Sequence, residues 1–181
     1  MPTPYHSVSP SALPNESAIA RAYESTNLAD AYSIDLPAGT TTNPELLARF
    51  IFSQQASWVK GLMKVRDVLV AGFGLKTSAQ LTRPGSGSHA KRVGIFKIYS
   101  TTGHEIVLGE DDKHLDFRLS VLCSARPAPA DGHRLVLSTV VHCHNRLGRL
   151  YILLIAPFHR QVVQSCLRRA ARIGWPPAEV A

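Results

Sequence analysis

The architecture of this chain depends on residues 105–174, which read EIVLGEDDKHLDFRLSVLCSA (105–125), HRLVLSTVVHCHNRLGRLYILLIAPF (133–158) and HRQVVQSCLRRAARIG (159–174). Apolar residues alternate with polar ones along much of the first two segments, and turn-forming clusters interrupt them, as in a run of antiparallel strands. The third segment repeats its apolar residues at helical spacing. We therefore predict an antiparallel sheet that leads into a long C-terminal helix over residues 158–173.

Six strands and a pair of helices that precede the C-terminal helix are predicted in all. The predicted strands are 29–36, 93–99, 104–110, 114–125, 133–144 and 149–157. Asn43-Pro44-Glu45 is a typical helix start, with a capping side chain, a proline at the first helical position and an acid near the N-terminus. Ser57 can cap a second helix that runs through Trp58. The predicted fold class is α+β, an antiparallel sheet of about six strands packed against a long C-terminal helix and a helix pair.

Length and composition predict a single domain. The chain has 181 residues, 45% of them apolar, which is enough to bury a sizeable core. We expect residues 1–14 to be a disordered tail, 15–174 the α+β domain and 175–181 a C-terminal tail. The longest apolar run, 150–158, is too short to span a membrane, and the first residues lack the pattern of a secretory signal. Three widely spaced cysteines do not form a disulfide framework, so we expect a cytoplasmic protein with no membrane partner.

The net charge of +7 is concentrated near the C-terminus. Residues 132–178 contain seven arginines and no Asp or Glu. Such a surface attracts anions, but only 18% of the residues are charged and no nucleic-acid-binding module is present. Nucleic acid is therefore an unlikely partner, and we expect the stripe formed by Arg160, Arg168 and Arg172 to be a solvated face of the last helix.

Three stretches resemble a known family. They are WVKGLMKVRDVLVAGFGLK (58–76), VLGEDDKHLDFRLSV (107–121) and STVVHCHNRLGRLYILLIAPFHRQVV (138–163), and they look like the bacterial family called domain of unknown function 2867, over roughly residues 29–172. The order of predicted elements resembles the helix-grip (START-like) architecture, in which the sheet face under the last helix lines a pocket. The resemblance implies no established activity. Because no Gly-rich dinucleotide fingerprint is present, we expect no cofactor.

Strand alternation sorts the side chains of the sheet into two faces. A seven-residue loop after residue 125 places Asp116 opposite His142 and His114 opposite His144. A two-residue turn at residues 111–112 would pair Leu108 with Leu115. The predicted core face carries Leu115, Phe117, Leu119, Val121, Leu137, Val141, Cys143, Leu150, Ile152 and Leu154. The predicted opposite face carries Glu105, His114, Asp116, Arg118, His142, His144, Arg149 and Tyr151.

The leading functional hypothesis is a small apolar molecule held between the sheet and the C-terminal helix. Apolar pockets of this kind are typical ligand sites. The predicted lining residues are Phe117, Leu119, Leu137, Val141, Leu154, Phe158 and Val162.

The opposite face supports an alternative, an enzyme. In this hypothesis Asp116 orients His142 for acid–base chemistry, and Tyr151 and Arg118 stabilise charge. The same residues also fit cross-strand ion pairs on a solvated sheet face, or a polar recognition surface. We predict no metal site, because zinc needs three or four converging ligands and His142-x-His144 supplies two.

A third hypothesis is a homo-oligomeric structural or interaction module. If the predicted strand 149–157 is correct, Val136, Val140, Leu153 and Ile155 stand together on the outside of the sheet. A contiguous apolar patch usually marks a partner surface, and a two-fold homodimer is the commonest way to cover it.

Overall fold

The computed structural model describes residues 7–54, 91–126 and 132–178. Its strands are β1 (Ser9–Ser11), β2 (Leu28–Leu36), β3 (Arg92–Val93), β4 (Phe96–Thr101), β5 (Glu105–Asp111), β6 (Leu115–Ala125) and β7 (His133–Cys143). They form one seven-stranded sheet in the order β1-β2-β7-β6-β5-β4-β3, and every neighbouring pair is antiparallel. The predicted α+β class is confirmed, with one strand more than expected.

The described helices are α1 (Pro44–Ser53), α2 (Arg146–Ile173) and a short 3-10 helix (Ala18–Arg21). The helix α1 begins where the sequence predicts, because the side chain of Asn43 accepts hydrogen bonds from the backbone nitrogens of Glu45 at 3.0 Å and Leu46 at 3.2 Å. The second helix of the predicted pair, with Trp58, lies outside the described residues.

The predicted strand 149–157 is wrong, because these residues form the first half of α2. The side chain of Asn145 accepts from the Gly148 backbone nitrogen at 3.0 Å and caps the helix four residues before the predicted strand would start. A short apolar run fits a strand or a buried helix equally well by pattern, and its many leucines favour a helix. In the helix only Ile152 of the three predicted core residues is buried, whereas Leu150 and Leu154 are 49% and 51% exposed.

Both predicted tails contain residues that belong to the domain. Residues 9–11 form β1, which pairs with β2. They gave no signal because a three-residue strand of sequence Ser-Pro-Ser has no apolar alternation. At the other end, Trp175 packs against Phe50 with ring centroids 6.1 Å apart, and the Thr41 backbone nitrogen donates to the Pro176 carbonyl oxygen at 3.0 Å.

Strand register agrees with the prediction in one pair and differs in the other. The β6–β7 register places Asp116 opposite His142, as predicted. In the β5–β6 pair Leu108 lies opposite Leu119 rather than Leu115, because the turn is centred on residues 113–114 and not on residues 111–112. The shift is four residues, and an even shift keeps each side chain on its predicted face.

The inner face of the sheet, defined as the face that α1 and α2 cover, carries two apolar clusters. The first joins the sheet to α1 and the C-terminal half of α2, and includes Tyr32, Ile34, Leu47, Leu119, Val121, Leu135, Leu137, Cys166 and Leu167. The second lies under the N-terminal half of α2 and consists of Leu28, Leu115, Val141, Cys143, Tyr151 and Ile152. Burial of these side chains against the helices is the main stabilising contribution to the fold.

The opposite face, called the outer face, is covered in part by the N-terminal segment, defined as residues 7–27. Ile19 of this segment packs with Val140 and Val107. Val136 and Val140 are both buried, whereas Leu153 and Ile155 belong to α2. The apolar patch predicted on the outside of the sheet is therefore wrong, and the homodimer stays a prediction without that support.

Candidate functional site

The outer face brings together three of the four residues predicted for acid–base chemistry. Asp116 lies opposite His142, and Arg118 follows on the same face of β6. Arg118 is held from two sides: its Nη1 donates to Asp111 Oδ1 at 2.7 Å, and its guanidinium lies 3.7 Å from the centroid of the Tyr99 ring. Asp111 and Tyr99 thus already bind the Arg118 guanidinium, which in the enzyme hypothesis would stabilise charge on a substrate.

Asp111 and Tyr99 complete a closed unit with Arg118. Tyr99 Oη donates to Asp111 Oδ2 at 2.7 Å. Burial and then this hydrogen bond raise the pKa of Tyr99. Burial also acts to raise the pKa of Asp111, but the hydrogen bonds from Arg118 and Tyr99 outweigh it and hold that pKa below its usual value of 3.8. At neutral pH the unit therefore consists of an ionised carboxylate, a guanidinium and a neutral phenol.

Tyr151, the fourth predicted residue, is not part of this group. It lies in α2 on the inner side, buried in the second apolar cluster with Cys143 and Ile152. Its predicted place on the outer face depended on the strand that is a helix in the structure. Tyr23, which the sequence analysis did not single out, stacks on His142 instead, with ring centroids 5.6 Å apart. Burial raises the pKa of Tyr23 to about 12, so its phenol stays protonated at neutral pH.

The three histidines of the predicted polar face make different contacts. His142 Nδ1 lies 2.8 Å from the backbone oxygen of Ser25, and so holds the N-terminal segment on the sheet. His144 Nε2 lies 3.1 Å from Asp116 Oδ2. His114 sits in the β5–β6 turn, with Nδ1 2.8 Å from the Asn145 side-chain nitrogen. These contacts are mainly structural, and only the Asp116–His144 pair resembles a proton-transfer arrangement.

A buried carboxylate fixes the middle of the N-terminal segment. Glu105 is 4% exposed. Its Oε1 accepts from the hydroxyls of Ser17 at 2.6 Å and Ser120 at 2.5 Å, and its Oε2 accepts from the Ala18 backbone nitrogen at 3.0 Å. The carboxylate thus lies at the N-terminus of the 3-10 helix, where an anion is favoured. The sequence placed Glu105 on this face but gave no sign of its partners, which lie up to 88 residues away.

The residues predicted to line a ligand site occupy three different environments on the inner side. Leu119 and Leu137 are buried in the first cluster, and Val162 packs against it. Val141 is buried in the second cluster, with Phe117 packed against it. Leu154 and Phe158 are 51% and 53% exposed on α2. Five of the seven predicted residues therefore pack between the sheet and the helices, and the other two are exposed on α2.

A row of phenylalanine rings extends this junction. Phe52, Phe96 and Phe117 make successive edge contacts, with centroids 5.3 Å and 5.9 Å apart. All three are only partly buried where they pack against the apolar clusters. Aromatic rings in this arrangement provide large apolar area with a defined geometry.

A polar group that the sequence analysis missed lies beneath α2. Asp30 of β2 contacts two residues of the helix: its Oδ1 is 3.3 Å from His159 Nε2, and its Oδ2 is 3.9 Å from Arg160 Nε. The Asp30 side chain is 10% exposed. Aspartate and histidine separated by 129 residues offer no local pattern from which this contact could have been predicted.

A concave surface also lies at one end of the sheet. It has a volume of about 620 Å³ and is lined by residues 36–45, 101–103, 132–133 and 178. None of the seven predicted ligand residues belongs to this lining. It lies beside the start of α1, away from the junction between α2 and the second cluster.

Two further findings concern metals and membranes. Within residues 7–54, 91–126 and 132–178, no group of three or more His, Cys, Asp or Glu is arranged to hold a metal ion. In the same ranges no helix has the length and apolar character needed to cross a membrane.

An open antiparallel sheet under a long C-terminal helix defines an α+β protein and is consistent with a helix-grip-like fold. The family model described as protein of unknown function (DUF2867) matches residues 22–166. The chain belongs to this family, which confirms the resemblance identified from its sequence. No match was found among curated proteins.

Proposed function

We propose that this protein binds a small apolar molecule along the junction between α2 and the inner face of the sheet. One observation carries the proposal. Several apolar side chains in the N-terminal half of α2 remain exposed, because the described parts of the sheet and of α1 do not cover them. Leu147, Leu150, Leu154 and Phe158 are 42%, 49%, 51% and 53% exposed. Their spacing of three or four residues places them on one stripe of the helix.

The stripe borders the buried surface at Tyr151, which lies four residues after Leu147 and three before Leu154. Tyr151 and Ile155 lie beside it on the helix; Tyr151 is buried in the second cluster, and Ile155 and Phe117 pack against that cluster. A contiguous exposed apolar surface often marks a binding site. A molecule lying against Phe117, Leu154 and Phe158 would gain roughly 25 cal/mol for each Å² of apolar surface removed from water.

The test is a titration with a dye that fluoresces in apolar surroundings, such as anilinonaphthalene sulfonate. We expect Leu154→Glu combined with Phe158→Glu to weaken dye binding at least tenfold. Leu153→Glu is the control, because Leu153 is 72% exposed but lies about 100° around the helix from Leu154 and farther from Phe158. Equal binding by the double variant and the control would contradict the proposal, as would wild-type protein that does not bind the dye.

Native mass spectrometry of freshly purified protein supplies the second measurement. A bound molecule should appear as a mass increment that the Leu154→Glu, Phe158→Glu variant loses. A mass increment that persists in that variant would place the molecule elsewhere, for example in the cleft of about 620 Å³ beside α1.

Catalysis by Asp116, His142 and Arg118 stays a prediction. The contact that favours it is the 3.1 Å approach of His144 to Asp116. Against it stand the engagement of Arg118 by Asp111 and the use of His142 to hold Ser25. The geometry of the outer face therefore supports attachment of the N-terminal segment better than it supports chemistry.

A further inference from the structure

The two apolar clusters of the inner face are separated by polar residues. Along β2, Asp30 lies between Leu28 of the second cluster and Tyr32 of the first. Thr139 of β7 is the direct partner of Asp30 in the sheet register. Directly paired residues of neighbouring antiparallel strands have side chains within reach of one common group. Both side chains lie on the inner face, because alternate residues of each strand do.

Each of these residues carries a buried polar atom without a hydrogen bond. Asp30 Oδ2 and Thr139 Oγ1 have no hydrogen-bond partner among the described residues. The side chain of Asp30 is 10% exposed, and Thr139 is 4% exposed. Leaving such groups unpaired costs free energy, and the cost is greatest for a charged oxygen.

The neighbouring basic side chains do not satisfy the free oxygen. His159 Nε2 lies 3.3 Å from Oδ1, the other oxygen of Asp30. Arg160 Nε is 3.9 Å from Oδ2, too far for a hydrogen bond, and its side chain is 54% exposed. A group that donates a hydrogen bond to Asp30 Oδ2 and lies beside Thr139 Oγ1 would satisfy both atoms.

We propose that Asp30 and Thr139 form a polar subsite that binds the hydroxyl group of an otherwise apolar ligand, an alcohol or a phenol. This inference rests on the proposed function, because it adds a specific polar contact to the apolar junction. The carboxylate of Asp30 excludes an anionic group, and Arg160 already supplies a positive charge near Oδ2. A neutral hydroxyl fits both constraints, since it donates to Oδ2 and accepts from the Thr139 hydroxyl.

The test compares β-naphthol with β-methylnaphthalene, which has nearly the same shape but no hydroxyl, by fluorescence titration of the full chain. We expect wild-type protein to prefer the naphthol by about tenfold, as one hydrogen bond to a charged acceptor allows. Asp30→Asn and Thr139→Val should each reduce that preference at least threefold and leave the affinity for β-methylnaphthalene unchanged. Thr139→Val keeps the side-chain shape, so it guards against a general loss of structure in the aspartate variant.

Ser138→Ala is the matched control. Ser138 Oγ is also buried without a partner among the described residues, but it lies on the outer face of the same strand. The naphthol preference should persist in this variant.

The outcomes separate the two proposals. If both probes bind wild-type protein with equal affinity, or if Ser138→Ala reduces the preference as much as Thr139→Val does, the subsite is refuted and apolar binding stands. If neither probe binds, the apolar site itself is refuted and the subsite with it.

Discussion

Replacing Glu105 by alanine tests whether one carboxylate holds the N-terminal segment on the outer face. The substitution leaves three donors without their acceptor: the hydroxyls of Ser17 and Ser120 and the backbone nitrogen of Ala18. At about 1 kcal/mol for each buried donor left unpaired, the free energy of unfolding should fall by about 3 kcal/mol. For a chain of this size the melting temperature should then fall by roughly 6–12 °C.

Urea denaturation and a thermal scan measure both quantities, and hydrogen exchange reports where the change occurs. Exchange should accelerate in residues 17–21 before it accelerates in β6 or β7. Glu45→Gln is the control, because its ion pair with Arg49 is at the surface of α1 and should contribute no more than about 0.5 kcal/mol. If Glu105→Ala destabilises the protein no more than this control does, the carboxylate does not anchor the segment.

Three further predictions concern other sites. Because the folded-state pKa of Asp111 is lowered, its stabilising contribution is present above its unfolded-state pKa and is lost as pH falls through the folded-state value. Asp111→Asn should therefore destabilise the protein at neutral pH by an amount that shrinks as the solution is acidified, and a constant difference in urea melts across pH would refute this. A β-carbon at Gly148 would collide with the backbone oxygen of His114, whereas one at Gly103 meets nothing within 4 Å. Gly148→Ala should therefore lower the free energy of unfolding by about 1–3 kcal/mol, and Gly103→Ala should lower it much less. Equal effects in chemical denaturation would contradict the packing described. Burial raises the pKa of Cys123 and of Cys166 to about 11. Ellman's reagent should therefore leave both thiols unmodified in the native protein at mildly alkaline pH and modify them once denaturant is added. Rapid reaction of either native thiol would show that it is not buried.

The faces of the central strands could be predicted because one physical requirement determines them. The apolar residues of β6 and β7 must lie on the same side of the sheet, and this condition fixes the parity of their pairing. A seven-residue loop after residue 125 then placed Asp116 opposite His142, and the structure agrees. The β5–β6 register was less constrained, because turns centred on residues 111–112 and on residues 113–114 both satisfy the same condition.

The remaining errors arise where local pattern carries no decisive information. Residues 149–157 are almost uniformly apolar, so neither period stands out, and the Asn145 cap decides for a helix. The contacts of Asp30 with His159 and of Glu105 with Ser17 join residues 129 and 88 positions apart. Such pairs depend on the whole topology, and no spacing within one element predicts them.

The strand order has a consequence for how the chain is synthesised. Strands β3 to β7 are joined in sequence by neighbouring hairpins, but β2 reaches its partner β7 only across the length of the domain: Asp35 and Arg134, 2.9 Å apart, are 99 residues apart in the chain. At about 5–20 residues per second on the ribosome, β2 exists for roughly 5–20 s before β7 follows it. During that interval its apolar face and the edge that β7 later covers are unpaired, which is the condition under which strands associate with the wrong partner. We expect yield in cells to depend on chaperone capacity and on temperature more steeply than the stability of the finished fold would suggest.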